Sequence, residues 1–280
     1  MASNSYVLGH TVVEIERLIS QADFYRDQSQ HLLHLAGLRE GMRVLDIGCG
    51  PGDVSLLAAR IVGPSGHVVG VDRSQDAITL ANARAAREGV TNVRFEVCDV
   101  QDLTADRVTN GTTEAFHALI GRFVLMYFSD AALVLRQLMR MLQPNAIVTF
   151  QEMDIQIADS SPRGELFASS IQRIWEAFRF AGVDLRTGLR QARIFRDAGL
   201  PVPSMHMEVR ADTGPDAFIY QHITETTRTL LETIQRADIS TSEAVGIDTL
   251  KARLREEALR NDATMLSPGI VGAWTRVAVG

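Results

Sequence analysis

No stretch of this sequence approaches 18 uninterrupted apolar residues, and the longest apolar runs, such as Ala115 to Met126, carry His117 and Arg122 within them. A membrane-spanning helix is therefore not expected. Cysteine is scarce as well. Cys49 and Cys98 are the only two, too few for a disulfide framework, and neither lies in a CxxC or Cys/His pattern of the kind that holds zinc. A reducing compartment follows. Residues Met1 to Tyr6 carry no basic stretch feeding an apolar run, so we expect no secretory signal and a cytoplasmic location. Lysine is almost missing: Lys251 stands alone among 28 basic residues, the other 27 being arginine. Against 34 acidic residues this leaves a net charge of -6, without the bulk positive field that sequence-independent nucleic-acid binding relies on. Neither nucleic acid nor membrane is an expected partner.

What remains is an ordinary globular composition. With 280 residues, 46% hydrophobic and 22% charged, the chain has ample material for a core, as one large domain or two small ones. Val12, Val13, Ile15, Leu18 and Ile19 recur at helical spacing, and Leu32, Leu33, Leu35 and Leu38 follow after a polar break. This predicts two amphipathic helices. Short apolar runs then alternate with helical stretches. The runs are Arg43 to Ile47, His67 to Val71, Val93 to Val97, Phe116 to Ile120 and Ala146 to Phe150; the helices are Val54 to Val62, Gln75 to Glu88 and Ala131 to Leu142, with another near Asp102. Near-continuous apolar strands alternating with helices imply an α/β fold, a doubly wound parallel sheet covered on both faces, with its ligand crevice at the carboxyl ends of the strands.

After Glu152 the rhythm changes. Helical patterns at Gly164 to Gly182 and Thr187 to Gly199 precede a strand at Met205 to Val209; a helical stretch from Pro215 to Leu259 follows, and Ile270 to Val279 reads as a last strand. The expected organisation is an N-terminal helical cap over 1–40, a sheet domain over 41–212 and 268–280, and a helical insertion over 213–267 that serves as a lid.

The informative segment is Val44-Leu45-Asp46-Ile47-Gly48-Cys49-Gly50-Pro51-Gly52-Asp53, where a buried strand hands over to a helix. Glycines there allow a tight turn and let a ligand approach the backbone. Asp72 and Asp99 end the next two strands, at the same crevice, and a carboxylate at a strand terminus adds nothing to a core. The dinucleotide fingerprint GxGxxG needs glycine where Asp53 stands, which disfavours a nicotinamide cofactor. Asp46 and Asp53 also bracket the loop with acids, and a diphosphate prefers a helix start free of them. The expectation is a ligand that is cationic where it meets the loop.

This segment resembles the first signature of the class I S-adenosylmethionine-dependent methyltransferases, and the likeness runs strongly over about residues 35 to 155. It implies a Rossmann-like seven-stranded sheet with N-terminal helices and a helical lid between the last two strands. It further implies S-adenosyl-L-methionine as cofactor and S-adenosyl-L-homocysteine as product. By that resemblance Gly48, Gly50 and the Asp46 carboxylate line the methionine end, Asp72 holds the ribose and Arg73 lies along the adenine. Asp99 accepts from the adenine amino group, with the backbone of Val100 beside it. Gly121-Arg122-Phe123-Val124-Leu125-Met126-Tyr127 with Gln151-Glu152 is similar to microbial enzymes that methylate small specialised metabolites, which sets a small-molecule partner.

In-line methyl transfer needs chiefly alignment, and a base only when the acceptor cannot lose its proton unaided. Arg122, at the end of the fourth strand, is a catalytic and cofactor-side candidate, or else an ion-pair partner of Asp46 or Glu152. Its position where metal-dependent catechol-type enzymes carry an aspartate argues against a metal. Glu152 is the first candidate for general base or for orienting the acceptor, against the alternative of a solvated strand end. Tyr25 is read as covering the sulfonium or carboxylate, as an aromatic face suits a cation. Tyr6, Met126, Tyr220 and His222 are placed on the substrate side, with His222 a second base candidate. His31 and His34 are spaced for a metal but lack a third ligand in pattern. A homodimer through the early helices or the insertion is allowed and not required. The alternative to methyl transfer is a protein that binds the sulfonium for a cyclisation or rearrangement, or binds without catalysis.

Overall fold

The computed structural model describes residues 12–105, 108 and 115–278, with side chains from residue 24 onward. Tyr6 lies outside the described residues. The first element among the described residues is one helix, α1 (Val12–Leu35), where two were expected. The polar break at 20–31 contains neither proline nor glycine, so the backbone has no reason to stop. Then follow β1 (Arg43–Ile47), α2 (Asp53–Val62), β2 (His67–Asp72), α3 (Gln75–Arg87), β3 (Val93–Val97), β4 (Phe116–Arg122), α4 (Ala131–Leu138) and β5 (Leu142–Asp154). Helix α4 stops four residues earlier than its apolar pattern suggests, at a short 3₁₀ turn, and β5 begins at Leu142. Asn145, at φ 63°, introduces an irregularity after Pro144 where the β4–β5 register shifts.

These strands belong to a seven-stranded sheet of order β3-β2-β1-β4-β5-β10-β7, its last members being β7 (Ser204–Glu208) and β10 (Gly269–Arg276). Strands β1 to β5 are parallel neighbours. Alternate residues bury on opposite faces. Leu45, Val69, Leu119, Val148 and Phe150 pack with Val134, Leu135 and Leu138 of α4, while Val44, Val68, Ala118 and Ile147 pack with Leu57, Ala58 and Val62 of α2. The chain builds outward from β1 in one direction through β2 and β3, then returns to place β4 on the other side of β1. That reversal is the topological switch point, where open α/β sheets form a crevice. The glycine loop leaves β1 there.

Two compact units divide the chain. One comprises Tyr25–Glu152, Leu189–His206 and residues from Val271. The other takes Met153–Gly188 and Met207–Ile270 with the described residues up to Phe24. This second unit contains β6 (Asp159–Ser161), α5 (Glu165–Phe180), β8 (Ala211–Asp212), α7 (Phe218–Thr229), α8 (Leu231–Arg236), α9 (Ser242–Val245), α10 (Ile247–Arg260) and β9 (Thr264–Leu266); α6 (Thr187–Asp197) lies mostly in the first. Strands β6, β9 and β8 form a three-stranded antiparallel sheet that the sequence did not announce. Carboxylates close its helix ends. Glu257 accepts from the Leu166 and Phe167 amides (2.8 and 3.0 Å) at the start of α5, and Asp212 accepts from Ile219 N–H (3.1 Å) at the start of α7. Among the described residues, no helix is long and apolar enough to cross a membrane.

Candidate cofactor site

The loop after β1 turns through three glycines in the left-handed region: Gly48, Gly50 and Gly52, at φ 63°, 52° and 84°. Their surroundings differ. A Cβ on Gly48 would strike Val124, and one on Gly52 would meet the Phe95 ring at 2.8 Å and Ala81 at 3.1 Å, so these two glycines permit close packing. A Cβ on Gly50 would meet nothing within 4 Å. The Gly50 backbone thus faces open space.

Asp72, the last residue of β2, holds this arrangement. One carboxylate oxygen accepts from Gly50 N–H and the other from Ser74 N–H, each at 2.9 Å, while Ser74 Oγ caps α3 by accepting from Ala77 N–H. The carboxylate is half-buried, with lone pairs left for a ligand. Asp99, after β3, accepts from Gln101 N–H at 2.9 Å, and Val100 beside it is buried. Arg73 is exposed.

Two of the acids behave differently from the sequence expectation. Asp46 is almost wholly buried; its Oδ2 accepts from Ser55 Oγ at 2.5 Å, and burial pushes its pKa up to about 7. Asp53 is paired to Arg84 at 2.5 Å and, more loosely, to Arg122 at 3.7 Å. Contrary to the expectation from sequence, the loop is therefore not bracketed by two free negative charges that would select a cationic ligand: two arginines offset Asp53, and burial favours the neutral form of Asp46.

Arg122 ends β4. Its partner is Asp53, and its second nitrogen donates to Ser29 Oγ (3.0 Å), which donates in turn to Gln151 Oε1 (2.6 Å). Of the two ion-pair partners expected, Glu152 is not paired with Arg122 and Asp46 acts on the guanidinium only through its field. The next residue, Phe123, has φ 54°, a conformation costing a non-glycine residue roughly 1–2 kcal/mol. Its N–H donates to Gln151 O (2.9 Å), its ring meets Tyr25 edge-on at 5.5 Å, and the Arg122 guanidinium lies 5.7 Å above it. Tyr25 is fully buried.

Glu152 is not a solvated strand end. It lies two residues before the end of β5 with no exposed surface, and its Oε1 accepts from Val124 N–H (2.9 Å) and Leu125 N–H (2.7 Å). Burial outweighs those bonds and raises its pKa to about 8. Oε2 is buried without a hydrogen-bond partner. Met126, at the end of this strained turn, is buried.

One compact unit thus gathers Tyr25, Asp46, Gly48, Gly50, Asp72, Arg73, Asp99, Val100, Arg122, Met126 and Glu152. Tyr220 and His222 belong to the other unit. There Tyr220 donates to Gly214 O (2.9 Å), and His222 stacks with Phe24 and Phe218 at 5.8 and 6.0 Å. Ser29 and Arg84 were missed at the level of sequence. Arg84 had a signal: it falls on the buried stripe of α3 formed by Ala77, Ile78, Ala81 and Ala85.

A family model described as a methyltransferase domain matches residues 38–185, more than half of the chain. The chain belongs to that family. Among curated relatives of this methyltransferase-family chain, an arsenite methyltransferase of Aquipseudomonas alcaligenes is 32% identical over 135 residues, covering 46% of this chain and 38% of that one. A 2-phytyl-1,4-naphtoquinone methyltransferase of Synechococcus elongatus is 34% identical over 116 residues, covering 41% and 47%. The chain thus spans less than half the length of these relatives. A solved structure from Bacillus halodurans C-125 shares the fold at TM-score 0.59 and 16% identity, covering 90% of this chain and 100% of that one. The sheet is that of the class I S-adenosylmethionine-dependent methyltransferases, as its sequence signature implied.

S-adenosylmethionine is the cofactor this family implies, and the residues present fit it. Gly50 leaves free the volume a side chain would fill, and Asp72 presents a carboxylate at its edge. This contrast yields a prediction. Gly50→Ala carries the strain of a left-handed backbone, about 1–2 kcal/mol, but no clash, and binds S-adenosylhomocysteine at least about tenfold more weakly, about 1.4 kcal/mol. Gly52→Ala bears the same kind of strain and in addition destabilises the fold by about 1–3 kcal/mol more, because its methyl meets Phe95 and Ala81. Calorimetric titration and thermal melts of both variants check the pair; equal behaviour of the two would contradict it.

Proposed function

We propose that this chain transfers a methyl group from S-adenosylmethionine to a small-molecule acceptor, of the specialised-metabolite class, without a metal, and releases S-adenosylhomocysteine. The observation that carries the reading is Gly50: a left-handed backbone with open space before it, its N–H fixed by the carboxylate that ends β2. When bound, the cofactor's sulfonium supplies the methyl for an in-line displacement.

The chain's own residues then bind and align. In this proposal Gly48, Gly50 and Tyr25 serve the amino-acid end with Arg122, Asp72 the ribose, and Arg73, Asp99 and the Val100 backbone the adenine. Asp46 supports the loop through Ser55 rather than by a free charge. A carboxyl pushed up to about 8 holds its proton at neutral pH, so Glu152 is a poor base there. Its role in this reading is to hold the turn at 124–125. Met126 is the acceptor-side residue proposed within the unit that holds these residues.

Incubation of the purified protein with S-adenosylmethionine and a panel of small phenols, quinones and amines tests the reading by mass spectrometry. Expected is S-adenosylhomocysteine appearing in step with a product heavier by one methyl. A product of unchanged mass with the cofactor unconsumed would replace methyl transfer by a rearrangement at a bound sulfonium.

A further inference from the structure

We propose that Arg84, on α3, is a positioning residue that sets the shape of the cofactor loop from beneath. The inference rests on the cofactor reading above and deepens it. A single guanidinium nitrogen of Arg84 donates to the carbonyl of Pro51 at 2.8 Å and lies 2.5 Å from Asp53 Oδ1. It therefore holds the loop on both sides of Gly52. The same helix supplies Ala81, one turn earlier, against which Gly52 is packed. At the other end of the loop Asp72 holds Gly50 N–H while fixing the start of α3 through Ser74 N–H. Helix α3 and the residues leading into it thus grip the loop at both ends. The open face of Gly50 lies at the first of these grips, one residue before Pro51.

The pairing with Asp53 explains why an arginine occupies a buried stripe of alanines and isoleucine. Asp53 is the first residue of α2, where a carboxylate is favoured by the helix dipole, but its side chain is only 10% exposed and needs a counter-charge. Arg84, 8% exposed, supplies it at 2.5 Å, while Arg122 at 3.7 Å is the looser partner. The carbonyl of Pro51 takes a further bond from the same cation, which a purely electrostatic partner would not need. Loop geometry, and not charge alone, is what this arrangement fixes.

The test uses the full chain and S-adenosylhomocysteine as the probe. Arg84→Met removes the hydrogen bond to Pro51 and the ion pair to Asp53 while keeping bulk, Arg84→Lys keeps a donor and the charge, and Arg84→Met in an Asp53→Asn background removes the buried charge that would otherwise be left unpaired. Expected are at least a tenfold rise in Kd for Arg84→Met, recovery of most of that loss in Arg84→Lys, and a loss of at least fivefold persisting in the charge-free double variant relative to Asp53→Asn. Amide exchange in a peptide covering 48–56 should accelerate in Arg84→Met while the β4–β5 peptides stay unchanged. Should Arg84→Met fail to fold, the double variant decides. Kd values within threefold of the matched background, whatever the change in Tm, would overturn the proposal and leave the cofactor reading intact; a wild-type protein that does not take up the probe would overturn both.

Discussion

Replacing Asp72 with alanine lowers the affinity for S-adenosylhomocysteine by at least about a hundredfold, about 2.7 kcal/mol. Two effects add. The loop loses the acceptor for Gly50 N–H and the start of α3 loses that for Ser74 N–H, both at 2.9 Å, and the ligand loses the carboxylate proposed for its ribose hydroxyls. A hydrogen bond to a charged group contributes about 1.5–3 kcal/mol, so the combined loss exceeds what either effect supplies alone. Asp72→Asn separates them: the amide oxygen can serve one N–H, but its NH₂ group confronts the other. Its affinity should fall between alanine and wild type. Titration calorimetry reads both. An unchanged Kd in Asp72→Ala would remove the ribose assignment.

The second large effect is a pH dependence of stability centred on Glu152. In the folded chain this carboxyl titrates near 8, against 4.5 for the ordinary group. Below 4.5 both folded and unfolded states hold the proton and the contribution is fully present. As pH rises toward 8 the unfolded chain releases its proton while the folded one retains it, and stability declines. Glutamine at 152 carries no such proton. The stability of Glu152→Gln relative to wild type should therefore rise between pH 5 and pH 8 by on the order of a few kcal/mol. Asp46, raised to about 7, contributes a slope of the same sign to both proteins and cancels in the comparison. Glu152→Ala behaves differently, leaving the Val124 and Leu125 amides without their acceptor at a cost of about 1–3 kcal/mol each at every pH. Denaturant melts at several pH values separate the three. Parallel wild-type and Glu152→Gln profiles would show that the carboxyl is ionised in the fold.

The inner strands β1, β2, β4 and β5 were legible because they are largely buried on both faces and so read as apolar runs. The glycine loop was legible for the same local reason: its φ values demand the residues found there. The three-stranded sheet of β6, β8 and β9 was not, since strands of two or three residues are too short to display a period. The continuity of α1 was missed because an interruption in apolar spacing is not an interruption of the backbone. The long-range hydrogen bonds and ion pairs of the charged side chains were the least accessible. Arg84 reaches Pro51 across 33 residues, Glu152 reaches Leu125 across 27, and Arg122 reaches Ser29 across 93. Acids that seem free in sequence, such as Asp53, acquire partners only when the helices close on the sheet.

A crystal structure of the complex with S-adenosylhomocysteine tests the account most directly. Expected are a ligand lying against Gly50, ribose hydroxyls within hydrogen-bond distance of the Asp72 carboxylate, and the adenine beside Asp99 and Val100. A ligand seated elsewhere, or a crevice left empty at saturating concentration, would contradict it.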